Sequence, residues 1–441
     1  MHDFRDVSVW VQPPPDLQPA LDADTRADVV VVGGGLTGLS TALSLRAAGV
    51  DVAILEMDYC GKGASGRNAG HLTPTIGKDL PTLVKYVGKG RAAELAGFAD
   101  RAVRYTEAAF ARHAIDCDYA PVGNIIAGVH PRHRAPLERA AELAAGIGVA
   151  ASFLDEAAMR RRGLPAAFRF GVLEATGGHL DPGKYVMGLR RAALQAGVRI
   201  YEQSRVDRLE TTGRGVRAVV GKAAIVGERL VLATNAYTPS TLGRMGSRVF
   251  PLRVTLFRTA PLDSRQRQAL GWPGGEGVYT AHESLESYRM TADGRLLGGS
   301  KYVQYGYGGG LADGDRPDVF RRYDGLLRER FAEVPDLKIE TFWGGWIAMT
   351  IDFLPFSHAD RRRRVFHGMG YNGHGVAQAT YNGALLADQV LDRPNGDVDL
   401  LQRRSPPLPP EPLRWLLVQA LMRIFEGPDR RVDADLSAGR R

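Results

Sequence analysis

The chain has 441 residues, 44% hydrophobic and 24% charged, a balance that excludes wholesale disorder and leaves room for two or more domains. The net charge is +8, but the basic residues are 49 arginines and 8 lysines spread along the chain, with short runs at 160–162 and 361–364. A nucleic-acid face would gather that charge, so no nucleic-acid partner is expected. Two cysteines, Cys60 and Cys117, exclude a disulfide framework and a cysteine metal site, and no metal is expected.

Residues 1–26 read as an N-terminal arm, anchored by Trp10 and Val11 and kept extended by Pro13–Pro15 and Pro19. The opening has no basic start followed by an apolar run, and no stretch reaches the roughly 20 apolar residues of a membrane span, so a cytoplasmic location is expected. At Asp28 the texture changes: DVVVV is a β-branched run, as in a strand covered on both faces. GGGLTG follows, then LSTALSLRAAG, which fits a helix ending at Gly49, and VDVAILE, a second buried strand.

Gly33, Gly35 and Gly38 thus form G-x-G-x-x-G between strand and helix, with Leu36 and Thr37 inside the motif. The glycines serve a tight turn, a close approach of backbone to pyrophosphate, and close packing of helix on strand. The helix N-terminus offers free N–H groups to phosphate. Glu56, at the end of the second strand, is placed for ribose hydroxyls and favours a free 2′-OH, hence FAD or NAD and not NADP.

Residues 78–165 are rich in Ala, Arg, Glu and Leu and read as mostly helical, with APVGNIIAGV as a strand. Lys184–Ala196 reads as helix, Val198–Glu202 as strand, and Arg229–Thr234 as a further buried strand. Residues 246–345 alternate with a two-residue period, which predicts antiparallel sheet. RVFHGMGYNGHGVAQATYNGALLADQVL closes the globular part as strand, glycine loop and helix. After SPPLPPEP comes LRWLLVQALMRIF, apolar on nearly every face. Such a helix needs a cover. Packing onto its own domain or a second subunit is one reading, a membrane surface the other.

The fold class that follows is α/β (α+β overall): a Rossmann-like FAD-binding domain, an inserted antiparallel-sheet substrate domain and a C-terminal helix. The expected boundaries are 27–77, 179–245 and 341–397 for the first, 78–178 and 246–340 for the second, and 398–441 for the linker and helix. A nicotinamide enzyme usually carries its βαβ units consecutively. Here nucleotide-binding elements are scattered over the chain, which suits FAD; an NAD-linked dehydrogenase and the flavin subunit of a larger complex stay open as alternatives.

VVVVGGGLTGLSTALSLRAAGVDVAILE followed by GASGRNAGHL resembles the FAD-dependent oxidoreductases of the D-amino-acid-oxidase superfamily, and within it the gamma-glutamylputrescine oxidoreductase-like branch. HLDPGKYVMGLRRAA, LVLATNAYTP and FWGGWIAMTIDFLPF…GMGYNGHGVAQATYNGALLA extend the likeness over roughly residues 8–395. The resemblance implies oxidation of the C–N bond of an amine or amino acid, with O2 or another acceptor taking the electrons. It places Ser65, Arg67 and Asn68 beside the pyrophosphate and ribityl chain, with Gly70 allowing the backbone past the flavin. Val206, Thr234 and Asn235 fall on the adenosine half, Asp352 near the ring, and Asn372, Gly373, His374, Gly375 and Val376 under the isoalloxazine. Cys60 lies too early in motif order to reach the ring, so FAD is expected to be non-covalent. For the reaction itself, Lys301 is nominated as a cation near the flavin, Arg289 as a carboxylate ligand with Tyr288 beside it, and His71 as a residue that faces the ring or caps the next segment. Trp343 and Trp346 are candidates for a pocket wall or for core.

Overall fold

In the computed structural model, residues 3–438 are described apart from 214, 243, 315 and 404. Two sheets organise them. The smaller one has Thr25–Val32 at its centre, paired in parallel with Val52–Leu55 on one side and with Ala223–Leu232 on the other. Arg199–Tyr201 continues it beyond Val52–Leu55, and Arg208–Thr212 with Gly215–Val220 forms a hairpin on the far edge. Val365–Met369 also lies parallel to Ala223–Leu232, at Leu230–Leu232. The VVVV run is buried throughout, as a strand covered by helices requires. The helices Leu36–Ala47 and Gly375–Val390 pack together on one face, Ser40 Oγ donating to the Thr380 carbonyl at 2.7 Å.

The larger sheet contains Asn124–Gly128, Ala151–Leu154, Phe170–Glu174, Phe250–Pro261, Gly277–Thr280, Ser287–Met290, Arg295–Gly299, Gln304–Tyr305 and Ile339–Met349. The two-residue period expected over 246–345 appears in Phe250–Pro261: Phe250, Leu252, Val254 and Leu256 all line one cavity. Two boundaries differ from the sequence expectation. Ile339–Met349 crosses position 341 and belongs wholly to the large sheet, because ten of its residues pair with Phe250–Thr259. The long helix Lys89–Arg112, assigned by sequence to the substrate domain, buries Leu95, Phe98 and Ala99 against Leu385 of the nucleotide side. Its apolar face found a helical partner where the sequence pattern alone gave no choice of neighbour.

Several contacts hold the N-terminal arm. Asp3–Arg5 adds a parallel edge to Ile339–Met349. Ser8 Oγ donates to the Gly66 carbonyl at 2.6 Å, and Arg190 binds both oxygens of Asp16 at 2.9 Å.

The C-terminal helix runs Leu413–Ala438, well past the apolar stretch that predicts it and through Pro428. It packs on its own chain. Val418 is buried beside Phe250, Leu252 and Met349, and Val432 joins the core under the large sheet. Leu413, Trp415, Leu416 and Ile424 stay exposed. No described helix is long and apolar enough to cross a membrane.

Candidate active site

The glycine loop is built as its motif demands. Gly33 sits at φ +107°, its N–H donating to Leu55 at 2.8 Å. A methyl group at Gly38 would lie 1.9 Å from the Gly33 carbonyl oxygen, so helix and turn meet at a distance only glycine permits. Glu56 accepts from the amides of Gly34 at 2.7 Å and Asp58 at 3.0 Å. Burial still pushes its carboxyl up to about 7, against the pull of both amides. Val206 lies buried just past the Arg199–Tyr201 edge, and Ser204 N–H bonds the Glu56 carbonyl at 2.7 Å, bringing this segment to the ribose position.

The stretch GASGRNAGHL is tied to this loop through Ser65, whose Oγ accepts the Leu36 amide at 3.0 Å. Asn68 closes the turn on itself: its Nδ2 donates to Ser65 at 2.8 Å, and its Oδ1 accepts the Gly70 amide at 2.8 Å. Gly70, at φ +79°, could not carry a side chain, since a methyl there would meet the Leu180 carbonyl at 2.0 Å. Arg67 departs from the expected phosphate role. Its buried guanidinium donates to Asp313 at 2.7 Å and to the carbonyls of Lys62, Asp6 and Gly344. With Nε and Nη1 engaged by a carboxylate and three carbonyls, Arg67 clasps these segments together.

From the other end of the chain, Asn372 stands in the left-handed region at φ +51°. It accepts the Thr350 amide at 2.8 Å and donates to Gly370 at 2.6 Å. Asn235 Oδ1 accepts the Gly370 amide at 3.0 Å, which joins the Thr234–Asn235 turn to this loop. Thr37 and Tyr371 share a hydroxyl bond at 2.8 Å, tying the two glycine loops together. His374 precedes the helix beginning at Gly375, whose first turn has no capping side chain; the helix at Leu36 likewise follows Gly35 without a cap from that residue. Both helices thus begin at a glycine loop without a cap from the residue before them, although Ser65 Oγ takes the first amide of the Leu36 helix.

Between the GASGRNAGHL stretch, the YNGHG loop and the large sheet lies a cavity of about 280 Å³. Of the residues expected at the site, Arg67, Asn68, Gly70, His71, Asn372, Gly373, His374 and Val376 line it. His71 Nδ1 lies 3.2 Å from Asn124 Oδ1. Asn124 Nδ2 is given to the Leu72 carbonyl at 3.0 Å, and its Oδ1 also receives the Tyr279 hydroxyl at 3.3 Å. The amide orientation puts the proton on His71 Nδ1 and leaves Nε2 a lone-pair acceptor, which has no protein partner. Burial, helped by the nearby Arg289 charge, holds His71 well below the ordinary histidine range, so it is neutral. Burial lowers His374 as well.

Four nominated residues stand elsewhere. Lys301 is buried in an ion-pair cluster, 2.9 Å from Glu286 and 3.0 Å from Asp433. Although burial opposes its charge, these two carboxylates hold Lys301 above its ordinary range. Tyr288 is core, its hydroxyl on Glu286 at 3.0 Å. Arg289 donates to the carbonyls of Ala69 and Leu180 and lies over the Trp10 ring. Asp352 pairs with Arg403 through both carboxylate oxygens. In each case a polar partner outside the cavity holds the side chain. Trp343 and Trp346 are both buried and line no part of the cavity, whereas Gly345, Ile347 and Met349 of the same strand do. His282, Glu286 and Asp433 are close enough to share a metal, but Arg330 and Lys301 already neutralise the carboxylates.

Residues that the sequence did not single out complete the walls: Lys78, Tyr279, Glu283, Phe353, and from the C-terminal helix Val418, Met422 and Phe425. The helical spacing of Val418, Met422 and Phe425 in LRWLLVQALMRIF was a readable signal; Lys78, six residues past the polar loop, was not.

Two helices that begin at glycine loops, a glycine turn that admits no side chain, and a carboxylate at the strand end together define a dinucleotide-binding fold with a cavity beside it. Residues 28–389 match the family described as FAD dependent oxidoreductase, DAO. The chain belongs to that family, which decides for FAD over a nicotinamide. It is 32% identical over 374 residues to gamma-glutamylputrescine oxidoreductase of Escherichia coli, covering 83% of this chain and 84% of that protein. It is 30% identical over 407 residues to the probable oxidoreductase OrdL of Rhizobium meliloti, covering 90% of each. Among solved structures, glycine oxidase from Geobacillus kaustophilus is similar with a TM-score of 0.71 at 21% identity, covering 86% of this chain and 100% of that one.

Proposed function

We propose that this chain oxidises the C–N bond of an amine or amino acid in the cavity between these two loops and the large sheet. The observation that carries it is the convergence there of GASGRNAGHL and YNGHG, with a neutral His71 whose Nε2 has no protein partner. When bound, FAD supplies the hydride acceptor, and the chain does the rest. The Thr37 amide and the cradle at Gly33–Gly38 would hold the pyrophosphate, and Glu56 the ribose hydroxyls. Asn372–Val376 and the helix that begins at Gly375 would supply N–H groups to the flavin, a setting that favours its reduced, more negative form. His71 Nε2 accepts an N–H of the substrate and so orients a neutral amine. The apolar walls from Leu252, Val254, Ile347 and Met349 keep water from the reacting carbon. The imine product hydrolyses in solvent.

Anaerobic mixing of the holoenzyme with a panel of amines and amino acids tests this. Bleaching of the flavin by at least one of them is expected; a panel that leaves the flavin oxidised would sink the reading. Admitting air then separates the acceptors. Fast recolouring marks O2 as acceptor, and slow recolouring a quinone or protein.

A further inference from the structure

The family domain ends at residue 389, yet the cavity is closed by a helix that starts at Leu413. That helix does two things to one ion pair. Its Phe425 ring lies 4.4 Å from Lys78 Nζ, and Phe353 covers the same ammonium at 4.5 Å, the two rings standing at 90°. One turn further on, its buried Asp429 accepts the amides of Glu283 at 3.0 Å and Ser284 at 2.8 Å, fixing the loop that carries the counter-ion. Glu283 Oε2 then meets Lys78 Nζ at 2.8 Å. The pair is unequal: the Lys78 side chain is 12% exposed, that of Glu283 38%.

An ammonium set in the corner of two perpendicular rings is positioned by cation–π attraction to both. Its partly exposed carboxylate partner competes with water for the same contact, so exchange for another carboxylate is easy. Glu283 can turn to solvent while an incoming carboxylate takes its place from inside the cavity. A second cation at that spot would be repelled by Lys78.

We propose that the C-terminal helix is a specificity element of this enzyme: through Phe425 and Asp429 it presents Lys78, with Glu283 as an exchangeable placeholder, as the binding site for a carboxylate on the substrate. The preferred substrates are therefore amines that carry a carboxylate, bound with the nitrogen at His71 and the carboxylate at Lys78. This rests on the amine-oxidation reading above.

The test uses holoenzyme and amines matched in length, pentylamine against 5-aminopentanoate and butylamine against 4-aminobutanoate. Hexanoate serves as a carboxylate that cannot be oxidised, its binding followed by calorimetry. Wild type is expected to be reduced more efficiently by the amino acid of each pair, by about tenfold or more. Lys78→Gln should lose about tenfold more efficiency on the amino acids than on the plain amines, mostly in binding, and should weaken hexanoate. Lys78→Arg should restore most of both. Phe425→Ala, which leaves the charge but removes one ring, should fall between. Equal losses on both members of each pair, or hexanoate binding untouched by Lys78→Gln, would overturn the proposal while leaving amine oxidation standing. Hexanoate binding that depends on Lys78, in a protein whose flavin no amine bleaches, would instead retain the carboxylate site and remove the reaction.

Discussion

Lys301 of the large sheet and Asp433 of the C-terminal helix form an ion pair at 3.0 Å, and this pair fastens the helix over the cavity. Lys301 also meets the fully buried Glu286, which Arg330 binds through both oxygens at 2.7 and 2.8 Å. Replacing Lys301 by Met leaves Glu286 one cation short and Asp433 with only His282 beside it, at 3.5 Å. The expected result is a destabilisation of about 3 kcal/mol, the usual scale for breaking a buried pair. It is read as a lower midpoint in thermal denaturation. Reoxidation of the reduced flavin in stopped flow should keep its rate, because Lys301 does not line the cavity. A slower reoxidation with an unchanged melting point would reverse this assignment.

Glu56 gives the cofactor site a pH dependence. Its carboxyl is raised from 4.5 to about 7 by burial. The folded protein thus holds this proton more tightly than the unfolded chain. The stability it contributes is full below 4.5 and is lost as pH rises through about 7. Ribose hydroxyls donating to Glu56 favour the ionised form, so FAD binding and proton release are linked. FAD should bind the apoprotein about tenfold more tightly at about pH 8 than at about pH 6. Fluorescence titration across that range checks it, and Glu56→Gln should flatten the profile.

Elements with a strong local signature were legible from the sequence. VVVV, the glycine loop and the helix after YNGHG lie where period and composition put them, since each is dictated by residues next to one another in the chain. The opening loop was legible as a site segment, but its side chains were not. Arg67, Arg289 and Lys301 were captured by Asp313, by the Leu180 carbonyl and by Glu286, partners 246, 109 and 15 residues away. Spacing along the chain carries no record of such pairs. Lys78 was missed for the same reason, because its rings come from Phe353 and Phe425.

His71 contributes a fixed acceptor. Held neutral by burial, it does not titrate where the enzyme would be assayed, so the acidic limb of a pH–rate profile belongs to the substrate ammonium. His71→Ala should lower kcat/KM about tenfold, the scale of one neutral hydrogen bond, without moving that limb. A limb displaced in the variant would make His71 a titrating base. Asn124→Leu, which frees the ring to take either tautomer, should give a smaller loss in the same direction.

Arg67 separates two roles that a motif cannot tell apart. A phosphate ligand is idle until the cofactor arrives, whereas a clasp works in the apoprotein. Here the guanidinium is 5% exposed and spans Asp313 at 2.7 Å and the backbone of three segments, at Asp6, Lys62 and Gly344. Lysine keeps the charge but not the fork, and it cannot reach these acceptors together. Arg67→Lys should therefore destabilise the apoprotein by about 2–4 kcal/mol, seen in chemical denaturation with the flavin removed. Asp313→Asn should lower the same midpoint by less, because the carbonyl partners remain. An Arg67→Lys apoprotein as stable as wild type, with FAD affinity alone reduced, would return the residue to the phosphate.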